Sequence, residues 1–487
     1  MDIEKWPSDV GVKEVQAIAL HPHERPLVMR RRKAVLGARV NGDLRVEFTE
    51  SGLTSYAGLE LLGRYLRHFD LNARLRRHLD PLGLRADFRS AALMRVMIGL
   101  LVVGGRRLRH VRFVKDDPLF LRFAGLKVLP GERTLSRWLK QFRMSSVRAL
   151  QRLNAEIVGA GVAPLGLKRV TLDIDGTVIS TGLGVQWAQR GFNPHHRKVP
   201  SYYPITAALA QTRHLIRLQN RPGNIQDGKA SLGFLRDLWR QVTETWKDLP
   251  VVETRFDAAF FRADVLRWLQ AHPIEWAIKV PFYHWIGLRE RIPKQRHWKR
   301  VNGEVSFFEE RLFFEKWQEL LRVVVYRKRV HHPSRKNYQL DLFDPDDGYF
   351  EYSAIVTNRT IGGKALWHFL AGRGDHERLI GELKSGYALH TIPTNAYAAN
   401  SAWQQIVAIA HNLITNLQLA TLASRKTRSP KRTSLYRLLH IRTLRFELFH
   451  RAGRLVRPAG YPTLRLSPNS EAKSLFQKLA LQLAQTG

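Results

Sequence analysis

The sequence predicts an α/β protein: a mixed strand-and-helix core, preceded by a helical region and interrupted by a β-rich insertion. Three observations lead there. Residues 54–161 carry apolar side chains at three- and four-residue steps, the period of helices sharing a core. From about Gly166 short β-branched runs alternate with helical ones, the pattern of a layered α/β unit. Between 282 and 349 aromatic and basic strand-like stretches break that alternation before it resumes at YSAIVTN (352–358).

Composition narrows the partners. The 487 residues leave room for several domains, and 44% hydrophobic content is enough for most of the chain to fold. Lys and Arg number 79 against 42 Asp and Glu, a formal charge of +37, so the chain repels itself unless a polyanion neutralises it. The absence of cysteine excludes disulfides and thiolate zinc sites and fits a reducing compartment. The opening MDIEKWPSDV is polar and acidic, unlike a signal peptide. The most apolar run, AALMRVMIGLLVV (91–103), contains Arg95 and is too short to span a bilayer. A soluble cytoplasmic protein with no membrane association is expected.

The elements follow in order. Residues 1–53 form a basic arm containing RRRK (30–33). YAGLELLGRYLRHF has helical spacing behind Thr54, which reads as an N-cap. AALMRVMIGLLVV reads as a buried helix, and ERTLSRWLKQF (132–142) and SSVRALQRLNAEIV (145–158) as two more. Between them GGRRLRHVR (104–112) crowds Arg106, Arg107, Arg109 and Arg112 into one short segment. Short helices, tight turns and clustered arginines suit a helical DNA-binding domain, a helix-turn-helix being one form of it and a basic-faced helical bundle the alternative. RVTLDIDGTVIS, YPITAALAQ and HLIRLQNRPG then read as strands, GKASLGFLRDLWRQV (228–242) as a helix, VVETRFDAAF as a strand ending at Asp257, RADVLRWLQAH (262–272) as a helix and IEWAIKVPF as a strand. That β-β-β-α-β-α-β order is the order of an RNase H-like layer. WQQIVAIAHNLITNLQLATLA (403–423) is a closing apolar helix, followed by the basic linker SRKTRSPKRT (424–433).

The stretch DIDGT (173–177) fits two chemistries. It resembles the first motif of haloacid-dehalogenase-type phosphatases, but the late Gly-Asp-x-x-x-Asp motif they need is missing, since Leu379 follows Gly374–Asp375 where the last Asp belongs. It also resembles the first metal-binding strand of RNase H-like DDE transposases. That reading needs three hard oxygen ligands from separate elements to hold two Mg²⁺. Asp175 is the first and Asp257, 82 positions on, the second. In GRGDHERLIGELKSG (372–386) the third is Glu377 or Glu382. At roughly 100° per residue Lys384 shares the face of Glu377, as does Arg373 if the helix starts early enough, while Glu382 lies about 140° round. An anionic substrate wants Arg and Lys beside the ligand, so Glu377 is the choice, and Glu382→Ala is expected to be comparatively mild. Asp173 shares a strand face with Asp175 and reads as its support.

Arg373-(3)-Glu377-(6)-Lys384 resembles the tyrosine-arginine-glutamate-lysine signature of IS4-like DDE transposases, with Leu370 at the tyrosine position. DIDGT, RGFNPHHRKVPSYYPITAALAQ, NRPGN, RFDAAFF and GELK, in that order over about 165–425, resemble the IS1380 family of bacterial insertion-sequence transposases. The residues themselves suggest a helical DNA-binding domain over 54–165 and a basic region over 426–487, and the resemblance implies an RNase H-like core over 166–281 and 350–425 with a β-rich insertion over 282–349 between second Asp and Glu. It implies two Mg²⁺, with Mn²⁺ as a substitute, held by Asp175, Asp257 and Glu377; a phosphate steadied by Arg373 and Lys384; and a displaced base stacked on Trp285 or Trp298. The partners it implies are double-stranded DNA, as element ends and target, and a second copy on the DNA. Arg221 in NRPGN reads as a backbone-phosphate contact or a solvated turn residue, and NPHHRK (193–198) as a phosphate-facing loop. YRKRVHHPSRK (326–336) and SRKTRSPKR read as sequence-independent phosphate contacts. Two rival readings share the core: a nuclease or resolvase that cuts without joining, and a DNA-binding protein that has lost catalysis.

Overall fold

The computed structural model describes residues 44–485 apart from 192–197, 226–227, 229, 247, 331–349 and 428–433. The readings of RRRK (30–33), the end of the 282–349 stretch, most of NPHHRK and most of the two basic runs after Lys328 and Thr427 lie outside the described residues. Residues 44–50 are exposed and carry no helix or strand. The unit Glu50–Gly487 holds all the secondary structure among the described residues.

Six helices open that unit: α1 (Leu59–His68), α2 (Leu71–Leu79), α3 (Ser90–Val102), α4 (Pro118–Ala124), α5 (Glu132–Lys140) and α6 (Met144–Val162). α3 is apolar all round and buried at every position except Arg95, as such a helix must be. Arg95 satisfies itself on Ala124 O and Asn72 Oδ1. Thr54 does not cap α1. It sits in the short strand Leu53–Thr54, paired with Gly453 and Arg454, and its hydroxyl donates to the Asp117 carboxylate that caps α4. α1 begins only at Leu59. The strand partner lies 400 positions away, so local patterning gives no sign of it.

The main sheet is built from β1 (Arg169–Gly176), β2 (Ile205–Leu209), β3 (His214–Gln219), β4 (Val251–Phe256) and β5 (Ile274–Val280), with α7 (Ser231–Thr245) before β4 and α8 (Ala263–Gln270) before β5. It continues through β6 (Lys299–Arg300), β7 (Val305–Phe314), β8 (Glu319–Arg329) and β9 (Phe350–Thr357). The strand order is β3-β2-β1-β4-β5-β9-β8-β7-β6. β1, β4 and β5 are mutually parallel and the other pairs antiparallel. This mixed α/β sheet is consistent with an RNase H-like core. The stretch that breaks the sequence pattern after β5 adds its strands to the same sheet, through β9 on β5.

Strand alternation assigns the two faces. Val170, Leu172 and Ile174 of β1 join Phe234 and Leu238 of α7 and Leu266 of α8 in one core. Thr171, Asp173 and Asp175 take the other face. Against it lie α9 (Gly363–Ala371), α10 (Gly374–Tyr387) and α11 (Tyr397–Thr421). α11 is buried along nearly its whole length and shares a second core with α1–α6 and the final helix, α12 (Ser470–Gln485). α6 packs on α11 and β3: Asn154 donates to Leu215 O and Ile216 O and accepts from Asn412 Nδ2. One face of α6 is thereby committed to the core it shares with α11 and β3. No helix among the described residues is long and apolar enough to cross a membrane.

Candidate active site

Parallel β1 and β4 pair in register from Arg169↔Val251 to Asp173↔Arg255. The last of these partners are 82 positions apart, the same spacing that separates Asp175 from Asp257. Two residues further along the same face, where both strands end, are those two aspartates. In an open α/β sheet the carboxyl ends of parallel strands are where ligands bind. Asp175 accepts its hydrogen bond from Gly176 N at 3.0 Å. Asp257 caps the turn Ala258–Phe260, accepting from Ala259 N at 3.0 Å. Both carboxylates are partly open, at 22% and 29% side-chain exposure.

Arg373, at the junction of α9 and α10, closes over them. Its Nη2 is 2.8 Å from Asp175 Oδ2 and 3.8 Å from Asp257 Oδ2. Burial works against the charge of Arg373, but Asp175 and Asp257, then Asp173 and Glu377, outweigh it and hold its pKa above the ordinary value. Among the described residues its buried Nε has no hydrogen-bond partner. Glu377 is exposed in the first turn of α10 and, with Arg373, Lys279 and Lys328, lines a cavity of about 300 Å³. Lys384 Nζ donates to Val178 O at 2.9 Å, beside the end of β1, and burial lowers its pKa. Glu382 turns the other way. It is buried, 3.1 Å from Arg213 Nη2, and accepts from Ile441 N at 2.8 Å.

Directly beneath the aspartates, Arg255 grips Asp173 with Nε and Nη2 at 2.5 and 2.6 Å, both side chains fully enclosed. Arg255 Nη1 donates to Phe369 O at 2.7 Å, tying the end of α9 to the strands. The sequence reading gives Asp173 a supporting place and misses Arg255, although Arg255 stands two before Asp257 as Asp173 stands two before Asp175. His376 is missed as well. It is buried against Thr206 Oγ1 at 3.0 Å, and burial, then Arg373 and Arg255, push its pKa down to about 3. It is a neutral imidazole among guanidinium groups.

A family model described as transposase DDE domain, group 1, matches residues 37–487. The chain belongs to that family. It is also similar to a piggyBac transposase chain from a cryo-EM structure of a synaptic complex with hairpin DNA, at 14% identity and TM-score 0.36, covering 88% of this chain and 85% of that one. That likeness is too loose to place any residue. Among curated proteins none matches.

DDE-family proteins generally use divalent metal ions. Here the donors at the strand ends are carboxylate oxygens, the hard ligands that Mg²⁺ and Mn²⁺ take. Asp175 and Asp257 already converge on one positive centre, Arg373 Nη2, which is the arrangement a cation needs. Glu377 adds a weaker negative charge acting on the same guanidinium. Among the described residues no three His, Asp or Glu side chains are gathered closely enough to hold a metal ion.

The remaining expected residues of this DDE-family chain lie elsewhere. Arg221 is interior, 3% exposed, with Nε donating to Tyr203 O and its guanidinium over the Tyr203 ring; the turn it was read into is not solvated at that position. Trp285 packs edge-on against Phe314 and Trp317, and Trp298 against Phe308 with Arg327 over its face. Both indoles serve the packing of the strands after β5. Arg106, Arg107 and Arg109 are exposed around a cleft of about 750 Å³ between the helical region and the core.

Proposed function

We propose that this chain is an IS1380-type DDE transposase. It binds the terminal inverted repeats of its insertion sequence, cleaves DNA phosphodiesters and joins the freed 3′-hydroxyls to target DNA, working as a homodimer on the DNA. The observation that carries this reading is the meeting of Asp175 and Asp257 at register-matched strand ends, on one cationic centre. Asp175 and Asp257 would hold two Mg²⁺, or Mn²⁺ in their place, with Glu377 completing the set once it is drawn in from the first turn of α10. Such ions supply an activated oxygen nucleophile and stabilisation of the leaving oxygen.

The chain's own residues do the rest. Asp257, fixed by its bond from Ala259 N, and Asp175, fixed by its bond from Gly176 N, present oxygens in a set orientation. Arg373 balances their charge and offers a fork of N–H donors to a phosphate. Lys384 holds the segment after β1 through Val178 O and adds positive charge beside it. The Asp173–Arg255 pair keeps the floor of the site fixed.

Incubation of the full chain with linear DNA carrying the element's ends, target plasmid and Mg²⁺ tests the reading. Cleaved ends joined to the plasmid support it. Cleavage without joined products would leave a nuclease, and no cleavage with either Mg²⁺ or Mn²⁺ would sink it.

A further inference from the structure

α3 ends in a glycine pair that turns the chain sharply. Gly104 adopts φ +95°, and a Cβ on Gly105 would lie 2.4 Å from Leu100 Cγ. The turn Leu108–Phe113 that follows buries Leu108 and Val111 and leaves Arg106, Arg107 and Arg109 at the surface. Among the described residues none of these three guanidinium groups has an ion-pair partner. The rest of the cleft is lined by Ser180–Gly182 from beyond β1, His390–Pro393 from beyond α10, and Glu132 at the start of α5, which pairs with Arg112.

The cleft is tied to the candidate site. Thr391 Oγ1 donates to Arg106 O at 2.9 Å, and His390 Nδ1 donates to Lys384 O at 2.6 Å. Arg445 spans the base: Nε donates to Val102 O at 2.7 Å, and Nη2 to Leu101 O at 2.6 Å and Gly386 O at 2.7 Å. One guanidinium thus fastens the end of α3 to the end of α10, the helix carrying Glu377 and Lys384. Two histidines register the local field. Burial, then Arg109, Arg107, Arg106 and Arg112, lower the pKa of His110; burial, then Arg106, Lys384 and Arg107, lower that of His390, against the bond to Lys384 O. Five residues separate Asp175 from Ser180, at most about 18 Å of extended chain. At about 3.4 Å of duplex per base pair, the Ser180 wall of the cleft lies within about five base pairs of Asp175.

We propose that this cleft is a sequence-independent clamp for the DNA backbone, in which Arg106, Arg107 and Arg109 hold phosphates within about five base pairs of the scissile one. It rests on the transposase reading and adds to it where, and by what chemistry, the flanking duplex is held. Exposed arginines facing the hydroxyl-bearing wall at Ser180, Thr181 and Thr391 suit backbone phosphate, which carries no sequence, and the carboxylate in the cleft, Glu132, is paired with Arg112.

The test compares the wild type with Arg106→Gln/Arg107→Gln/Arg109→Gln, the fold being checked by circular dichroism and thermal unfolding. Binding to an element-end duplex and to a duplex of unrelated sequence is titrated across salt concentrations. The expected result is a similar loss on both duplexes and a salt slope shallower by about 3, close to one unit per phosphate contact. An unchanged slope, or a loss confined to the element end, overturns the clamp. Because the chain has no cysteine, Arg107→Cys takes a single tethered iron chelate. Backbone scission within about five base pairs of the scissile phosphate supports the placement, and scission only beyond it overturns it. A wild type that cuts no DNA with Mg²⁺ or Mn²⁺ would sink the transposase reading separately, while the binding comparison would still decide the clamp.

Discussion

Asp173 and Arg255 form a doubly hydrogen-bonded ion pair, fully enclosed between β1, β4 and the end of α9, one step below Asp175 and Asp257 on the same sheet face. Removing one partner leaves a buried charge uncompensated. We expect Arg255→Ala or Asp173→Ala to destabilise the fold by about 3–5 kcal/mol. The double replacement Asp173→Leu/Arg255→Met should recover most of that loss, as measured by urea unfolding. A double variant no more stable than either single one would show that the pair does more than cancel its own charge.

Arg373 shares its Nη2 between the two aspartates and should compete with any cation there. Two charges about 4 Å apart interact by about 4 kcal/mol at an effective dielectric of 20. Arg373→Gln should therefore tighten Mn²⁺ binding to the DNA-free protein by about tenfold or more, read by calorimetry or Mn²⁺ electron paramagnetic resonance. DNA cleavage should fall at the same time. Weaker Mn²⁺ binding in this variant would contradict the shared centre.

Glu377 and Glu382 should fail in different assays. Glu377 is exposed beside Arg373, so Glu377→Ala should lower cleavage by about a hundred- to a thousandfold with little change in stability or DNA binding. The sequence reading expects Glu382→Ala to be mild. The structure restricts that to the chemistry: losing the bonds to Arg213 and Ile441 N inside the protein should cost about 1–3 kcal/mol of stability. A dead Glu382→Ala enzyme with wild-type stability would reverse the assignment.

His214 sets a pH dependence of folding. It is buried between Thr212 Oγ1 at 2.7 Å and Asn416 Oδ1 at 2.6 Å, and burial pushes its pKa down to about 4. The unfolded chain binds this proton near pH 6.5 and the folded one does not until about pH 4. The contribution is fully present above pH 6.5 and is lost as pH falls toward 4, at up to about 1.4 kcal/mol per pH unit. Burial lowers His411 in the same direction. Urea midpoints taken from pH 7 to 4.5 should fall, and His214→Gln should flatten the slope. A midpoint rising on acidification would contradict the neutral buried imidazole.

Local pattern carried the element order. β1 through β5, with α7 and α8 between them, follow from strand and helix periods, and Glu377 and Glu382 separate on the helical wheel because both angles belong to one helix. The strand Leu53–Thr54, the interior place of Arg221 and the use of Trp285 and Trp298 as packing depend on partners far along the chain, where no period reaches.

By itself the sequence determined which residue types could act and on which side of each element they stand, since that depends only on the geometry of a single strand or helix. Tertiary structure decided which sides meet. Registering β1 against β4 placed Asp175 beside Asp257, and Arg445 locked the arginine turn to α10. These are contacts between segments separated by tens to hundreds of residues, held by burial and hydrogen bonds that exist only once the chain has closed on itself.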